Sequence, residues 1–313
     1  MIQAWKTPHI AKGLLTRVPV LDQWRRRRAA TGGSDSARYC YSVWLRHLSI
    51  LGSSGFRVAG AQVGELGPGD SIGTGLAALL SGAKGYVGLD IVPFAAKSNL
   101  PAIFEELVQM YVNYEAIPND EEFPRVRPRL DSYGFPHQLV DCSNVVSAAE
   151  RIKRELDGGL SKSGLLSYQV PWNSPEVITR SSLDLIFSQA VLEHVDGLDE
   201  TYMAMSAWLK RGGYASHVVD FRAHHLSSFW NGHWAYGDLE WRLVRGRREF
   251  LLNREPLSTH LDCAQKSGFE VMQLFRNYDD HGLPRRFLAP RFQQLSAEDS
   301  RTSGVILVLR KRN

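Results

Sequence analysis

The chain has few cysteines and no long hydrophobic run. Its 313 residues include three cysteines, Cys40, Cys142 and Cys263, which lie too far apart for the spacing of a structural metal site. A sparse and odd set is typical of a reducing compartment. No apolar run reaches the length of about 18 residues that a membrane span needs. The first residues also lack a continuous apolar core and a small-residue cleavage site, so we expect a cytoplasmic protein without a membrane span.

An excess of one charge is also absent. The formal net charge is +4, which is too small to indicate nucleic-acid binding by itself. The local exception is a run of four arginines from Arg25 to Arg28. Such a run can bind an anionic partner, a phosphorylated substrate or a membrane surface, but a solvated helix end is the commoner explanation. We therefore expect no specific nucleic-acid partner.

What the chain does contain, in the segment 57–91, is a strand, a glycine turn, a helix, a second strand and an acid. This order is typical of the nucleotide-binding half of a doubly wound α/β sheet. Gly67 and Gly69 allow a sharp turn and a close approach of the backbone to a ligand. Asp90 ends the second strand, where a carboxylate can accept two hydrogen bonds from a ribose. The segment predicts a nucleotide-type site, and a purely structural role is the alternative.

Two classes of ligand use this geometry. A dinucleotide needs its pyrophosphate over the glycine turn, and Gly67, Gly69 and Gly73 would fit a variant of the dinucleotide pattern. S-adenosylmethionine carries no phosphate, and an acid at the end of the first strand helps to anchor its amino-acid end. Glu65 is in that place, and Asp70 adds negative charge inside the turn. Carboxylates repel a pyrophosphate but attract a sulfonium and an ammonium, so the acids favour S-adenosylmethionine.

The rest of the pattern predicts an α/β chain in two parts. Residues 1–55 are expected to form an N-terminal helical arm or cap. Residues 56–313 are expected to form a domain of alternating strands and helices, with an insertion after the second strand at about 94–164. The later strands are predicted at residues 165–170, 183–188, 214–221, 269–275 and 303–310.

Four motifs, in order and spacing, resemble those of the class I S-adenosylmethionine-dependent methyltransferases over roughly residues 58–310. They are VGELGPG at 63–69, GLDIV at 88–92, LDLIFSQAVLEHV at 183–195 and LKRGGY at 209–214. The resemblance implies that residues 56–313 form a Rossmann-like, doubly wound sheet of seven strands in the order 3-2-1-4-5-7-6, with the last strand antiparallel. It also implies a methyltransferase that uses S-adenosylmethionine.

The resemblance further assigns cofactor-binding residues, all at or just after the carboxyl ends of strands. They are Glu65, Gly67 and Gly69 around the methionine end, Asp90 at the ribose, Ile91 on the adenine, and Ser188 and Gln189 at the reacting centre. The turn departs from the family pattern at Asp70 and Ser71, where many members have a third glycine. The backbone path there is left open.

Candidate catalytic residues follow the fourth and fifth strands. A hydroxyl acceptor needs a base, and neutral histidine accepts a proton well near pH 7. The candidates are His194, Asp220, His224 and His225. For each single histidine a capping or packing role is the alternative.

The pair Glu193 and His194 also resembles the metal-binding segment of certain ubiquinone-pathway O-methyltransferases. Those enzymes carry a further glutamate three positions before the first, where this chain has Ala190. Because one ligand is then missing, the sequence predicts no metal site.

The acceptor is less well defined than the cofactor. The segment 188–191 lacks the Asn or Asp, paired prolines and aromatic residue of nucleobase N-methyltransferases. The aromatic-rich segment 226–241 suits stacking against a sugar, although packed aromatics are the commoner explanation. We expect O-methylation of a sugar or another small molecule. An RNA or protein methyltransferase and a non-catalytic, cofactor-binding partner subunit are the alternatives, and the oligomeric state is left open.

Overall fold

A computed structural model describes residues 4–18, 33–140, 144–158, 164–172, 174–248 and 250–313. The arginine run from Arg25 to Arg28 lies outside the described residues, and so does Cys142. Cys40 and Cys263 are buried free thiols. In the described part of the chain, no helix is both long and apolar enough to cross a membrane.

Within the described residues, seven strands form one sheet in the order β3-β2-β1-β4-β5-β7-β6. The strands are β1 (Gln62–Leu66), β2 (Gly85–Leu89), β3 (Leu166–Gln169), β4 (Leu183–Gln189), β5 (Leu209–Asp220), β6 (Phe269–Tyr278) and β7 (Thr302–Lys311). Strands β1 to β5 pair in parallel, whereas β7 is antiparallel to both β5 and β6. The predicted sheet order and the antiparallel last strand are confirmed.

The helices of the described residues lie before, between and after these strands. They are α1 (Thr7–Leu15), α2 (Ala37–Ser53), α3 (Gly73–Leu80), α4 (Leu100–Val112), α5 (Val145–Asp157), α6 (Leu198–Trp208), α7 (Asp238–Arg245), α8 (Leu257–Lys266) and α9 (Pro290–Gln293). Helix α3 begins directly after the glycine turn and is buried along its whole length.

Strand β4 shows why the sheet forms in this way. Its sequence LDLIFSQ is apolar at most positions, because a central parallel strand is covered by helices on both faces. Leu185, Ile186 and Phe187 are fully buried. The carboxyl ends of β1 and β4 lie side by side, since Leu66 pairs with Ser188. Residues that follow these two strands are therefore brought to one edge of the sheet.

Helix α2 belongs to the core on one face of the sheet. The Trp44 ring packs against Phe187 of β4 with 5.5 Å between the ring centroids. Arg46 is fully buried and donates hydrogen bonds to the carbonyl oxygens of Pro118, Val126 and Pro128. It thereby fixes the irregular segment that follows α4. The division of the chain at residue 55 stays a prediction, as does the insertion at 94–164.

The aromatic-rich segment packs internally. Trp230, Trp234, Tyr236 and Trp241 are at most 7% exposed and form two small apolar clusters next to the main core. Trp5, just before α1, packs edge-on against Tyr236. These rings stabilise the fold around α1 and α7. They are not free to stack on a sugar.

Candidate active site

A cavity of about 410 Å³ opens at the carboxyl ends of β1, β2 and β4. Seven of the residues predicted from the sequence line it: Glu65, Gly67, Gly69, Asp90, Ile91, Gln189 and His194. Ligands bind at this edge in open α/β sheets, beside the point where the strand order reverses. The sheet order places that reversal between β1 and β4.

The glycine turn forms the floor of the cavity. Gly67 and Gly69 have φ angles of +62° and +77°, in the left-handed region that favours glycine. A Cβ atom on Gly67 would lie 2.7 Å from Cγ2 of Val191. The turn therefore needs glycine at position 67 for two independent reasons, backbone conformation and space.

Glu65 is a buried acid at the end of β1. It is 3% exposed, and its Oε2 accepts a hydrogen bond of 2.5 Å from the Tyr86 hydroxyl. Burial raises the pKa of Glu65 to about 8, the hydrogen bond from Tyr86 opposes that shift, and the charge of Asp90 adds to it. Without a ligand the carboxyl group is therefore largely protonated near pH 7.

Asp90 is the second acid. Its Oδ1 accepts a hydrogen bond of 2.8 Å from the backbone N–H of Ile91, and Oδ2 lies 3.5 Å from the Tyr168 hydroxyl. Burial raises the pKa of Asp90, while the backbone hydrogen bonds act to lower it. The neighbouring Ile91 side chain is 45% exposed at the cavity. An apolar side chain beside an oriented carboxylate suits a ligand with a flat ring and a hydroxylated sugar.

The electrostatics of the cavity are acidic. Among the described residues that line it there are two carboxylic acids and no lysine or arginine. A pyrophosphate would meet these acids without a compensating cation, whereas a cationic ligand is attracted by them. The cavity therefore matches a sulfonium and an ammonium better than a dinucleotide.

Ser188 and Gln189 end β4 but face different surroundings. Ser188 is fully buried, does not line the cavity, and its Oγ lies 2.8 Å from Nδ1 of His217. Gln189 lines the cavity, and its Oε1 accepts a hydrogen bond of 3.1 Å from Nε2 of His47. Because Nε2 of His47 donates, its Nδ1 accepts from the Ser216 hydroxyl at 2.8 Å. Helix α2 thus fixes the amide of Gln189.

The predicted catalytic residues form a cluster, with one exception. His194 lines the cavity, and its ring centroid is 5.0 Å from that of His224. Nε2 of His224 lies 3.3 Å from Oδ2 of Asp220. Burial lowers the pKa of His194 to about 4, and His224 adds to the shift. The side chain of His225 is exposed and does not line the cavity.

Other residues of the site were missed by sequence reasoning. Ser34, Tyr39 and Val43 reach the cavity from α2 and the residues before it, and Trp172 and Phe250 from loops. None of them lies in a recognisable motif, and each is brought to the sheet edge only by the fold.

Glu193 was noticed only as part of a metal-binding pattern. It is 2% exposed, and burial raises its pKa well above the ordinary value, with the charge of Asp220 adding to the shift. Its Oε1 lies 3.3 Å from the backbone N of Asp220. Glu193 therefore belongs to the same cluster as the predicted catalytic residues.

Comparison with known proteins finds likeness only in three-dimensional structure. No protein-family model and no curated protein matches the chain. An S-adenosylmethionine-dependent methyltransferase from Mesorhizobium loti aligns over 89% of this chain and 100% of its own, with 12% identity and a TM-score of 0.42. Phosphoethanolamine N-methyltransferase 2 from Haemonchus contortus, solved with S-adenosylmethionine, aligns over 86% of this chain with 15% identity and a TM-score of 0.45. The match spans about half, 53%, of that protein.

The sheet itself defines the fold class. A doubly wound sheet of seven strands with β7 inserted antiparallel between β5 and β6 is the fold that the sequence motifs implied. The chain thus has the Rossmann-like fold that is typical of class I S-adenosylmethionine-dependent methyltransferases.

Proposed function

We propose that this protein transfers a methyl group from S-adenosylmethionine to a hydroxyl group of a small molecule such as a sugar. The observation that supports S-adenosylmethionine as the cofactor is the acidic cavity above the glycine turn. Glu65 and Asp90 line this cavity, and the described lining residues include no lysine or arginine. When bound, S-adenosylmethionine would supply a methyl group, which the acceptor would take from the sulfonium sulfur by in-line attack on the methyl carbon.

The chain holds the cofactor through four contacts in this proposal. Glu65 pairs with the ammonium of the methionine end, and Asp90 accepts hydrogen bonds from the ribose hydroxyls. Ile91 packs on the adenine, since its exposed side chain gains buried apolar area there. Gln189, held by His47, donates its amide N–H groups near the reacting centre. Alignment of the two reactants accounts for several kcal/mol of the rate enhancement.

The acceptor side is assigned to the cluster beyond β4 and β5. A hydroxyl must lose its proton, and His194, Asp220 and His224 are the titratable groups that the fold brings to this end of the cavity. Asp220 is suited to remain ionised. Although burial acts to raise its pKa, the hydrogen bond and charge of His224 hold that pKa below the ordinary value. This cluster is the reason to prefer an oxygen acceptor over a more nucleophilic nitrogen.

The sequence alternatives gain no support from the described residues. The macromolecular alternative depended on Arg25 to Arg28, which lie outside them. The non-catalytic alternative is weakened by the open, acidic cavity.

Calorimetry tests the cofactor. We expect S-adenosylmethionine and S-adenosylhomocysteine to bind with micromolar dissociation constants, equivalent to about −8 kcal/mol, and NAD or NADP not to bind. Asp90→Asn should weaken binding by about 1–3 kcal/mol, because it removes a charged hydrogen-bond acceptor. The exposed Asp131→Asn serves as the matched control and should bind normally. Tight dinucleotide binding without binding of the sulfonium would contradict the proposal.

Turnover tests the acceptor. A panel of sugars and other hydroxylated metabolites is incubated with the protein, and release of S-adenosylhomocysteine is followed. Asp220→Asn and His224→Ala should each lower turnover by about 10²–10⁴-fold while cofactor affinity stays unchanged. The exposed His281→Ala is the control. Normal turnover in both cluster variants would favour a nitrogen or sulfur acceptor that needs no base.

A further inference from the structure

Three metal-ligating side chains converge beside the cavity. Glu193, His194 and His224 each offer one ligand atom, and these atoms all lie within 4.8 Å of one another. Glu193 and His194 come from the turn after β4, whereas His224 comes from the loop after β5. In that loop two consecutive residues, His224 and His225, have positive φ angles of 42° and 67°. Residues other than glycine rarely adopt positive φ angles, so two such residues in succession indicate a functional constraint.

Two polar atoms of these three side chains lack any hydrogen-bond partner within the described structure. Oε2 of Glu193 and Nδ1 of His194 are buried and unsatisfied. Leaving such an atom unpaired costs about 1–3 kcal/mol each, and more for a charged group. Buried polar atoms are rarely left so in native proteins. These two unpaired atoms, which both lie close to His224, therefore point to a ligand between the three side chains.

Asp220 orients the third ligand, His224. Nε2 of His224 faces Oδ2 of Asp220 at 3.3 Å, so it carries the hydrogen and leaves Nδ1 as a free lone pair. A carboxylate that holds the far nitrogen of a histidine is the common arrangement around a metal-bound imidazole.

The cluster is rich in acidic groups. Glu193 and Asp220 are both carboxylic acids, and Nη1 of the half-exposed Arg222 lies 3.8 Å from Oδ1 of Asp220. His233 also faces the cluster, and burial lowers its pKa to about 3, which keeps it neutral. A divalent cation bound here would stabilise the ionised form of Glu193 beside Asp220.

We propose that Glu193, His194 and His224 bind a divalent transition metal of the zinc class, with Asp220 orienting His224. Two imidazole nitrogens and one carboxylate oxygen suit zinc, cobalt or manganese, whereas magnesium prefers oxygen ligands. Three protein ligands leave one position open, as in catalytic zinc sites. In a tetrahedral site with ligand bonds of about 2.1 Å, two ligand atoms lie about 3.4 Å apart, so atoms that are up to 4.8 Å apart would close by up to about 1.4 Å on binding.

The proposed site departs from the sequence expectation of no metal. That expectation rested on a ligand three residues before Glu193, where this chain has Ala190. The fold supplies it instead from His224, 31 positions after Glu193 in the sequence. No local spacing could reveal that pair.

The role of the metal rests on the proposed function. His194 lines the cavity, so a metal held by these three side chains would lie beside the space for the acceptor. Such a metal would supply a Lewis acid that lowers the pKa of the acceptor hydroxyl, whose proton would pass to water. The oxygen lone pair would form the bond to the methyl carbon while the carbon–sulfur bond breaks with its electron pair passing to sulfur. In this refinement of the proposed function, His194 and His224 would hold the metal and would not accept the proton.

Metal titration of the full-length protein tests the site without turnover. Protein stripped with a chelator is titrated with Co²⁺, followed by its visible absorption, and with Zn²⁺ against a competing chelator dye. We expect one ion per chain. His224→Ala and Glu193→Gln should weaken binding by more than about 100-fold, and Asp220→Asn by about 10–100-fold. His225→Ala, the neighbouring exposed histidine, should bind the metal as the wild type does.

Parallel calorimetry with S-adenosylhomocysteine separates the two proposals. Normal cofactor binding in His224→Ala and Glu193→Gln shows that these variants are folded, so loss of metal in them supports the site. Metal binding that is unchanged in both variants, or lost equally in His225→Ala, overturns it. Metal binding as expected without any cofactor binding would contradict the proposed function and leave the metal site supported.

Discussion

At the scale of single residues, the two acids of the cavity differ in what stabilises their carboxyl groups. Glu65 is protonated near pH 7 in the unliganded protein because burial raises its pKa to about 8. Asp90 keeps backbone N–H donors on its carboxylate. A buried acid that is neutral without ligand and charged with it couples cofactor binding to proton release.

Glu65 should therefore release a proton when S-adenosylmethionine binds near pH 7. The ligand ammonium favours the carboxylate and lowers its pKa, so affinity should rise with pH up to about 8 and then level off. Because the pKa of Glu65 is higher in the folded chain than in the unfolded chain, the free energy of unfolding of the unliganded protein falls as the pH rises from 4.5 towards 8. Calorimetry in buffers of different ionisation enthalpy counts the protons. Glu65→Gln should abolish the release, and an unchanged proton count would show that Glu65 stays neutral in the complex.

At the scale of elements, local patterns placed most strands and helices but few of the long-range contacts. The strands predicted at 183–188 and 303–310 agree with β4 and β7 to within one residue at each end, because runs of apolar strand residues are visible locally. The first strand was expected from Arg57 but begins at Gln62, since the buried Val58 and Ala61 lie in a turn. Helix α7 was missed because its eight residues lie within a stretch dominated by aromatics.

The candidate site was predictable from the sequence where its residues lie in local motifs, but not where tertiary packing brings them together. Residues within motifs, such as Glu65 and Asp90, do line the cavity, although their roles stay predictions. Ser188 sits in a motif but is turned into the core, because successive side chains of a strand face opposite sides of the sheet. Phe250 and His47 reach the site or its support through tertiary packing alone.

The glycine turn gives a prediction for this element. Gly67→Ala should destabilise the protein by more than Gly60→Ala, although both residues have positive φ angles, +62° and +74°. A methyl group at position 60 meets no atom within 4 Å, so that variant reports the backbone cost alone, about 1–2 kcal/mol. At position 67 the clash with Val191 adds to it.

Urea unfolding measures both variants. The double variant Gly67→Ala, Val191→Ala provides the comparison that separates the two costs. Relative to Val191→Ala alone, adding Gly67→Ala should cost about as much as Gly60→Ala does. Equal costs for the two single glycine variants would show that the turn shifts freely.

At the scale of the whole molecule, buried histidines link stability to pH. His47, His217 and His260 are fully buried, and burial lowers their pKa values to about 4, 3 and 3. Each stays neutral in the folded chain while the unfolded chain takes up protons below pH 6.5. Their contribution to stability is therefore complete above pH 6.5 and is lost as the pH falls towards 4.

We expect the free energy of unfolding to drop by about 1 kcal/mol for each of these histidines between pH 6.5 and 5.5. Three such losses are large against a total stability of about 5–15 kcal/mol. Urea unfolding across this range measures the slope. His260→Gln should reduce it by about one proton, whereas the exposed His281→Gln should leave it unchanged. A flat profile would mean that these rings take up protons in the native state.

The antiparallel pairing of β7 has a consequence for synthesis on the ribosome. β7 is the last strand along the chain, yet it lies between β5 and β6. Until residues 302–311 have left the exit tunnel, both neighbours present unpaired strand edges to solvent or to other nascent chains. The half of the sheet around β1, β2, β3 and β4 is complete well before that point. Newly made chains are therefore most exposed to mispairing at the edges of β5 and β6, and chaperones that shield strand edges would act there until translation of β7 ends.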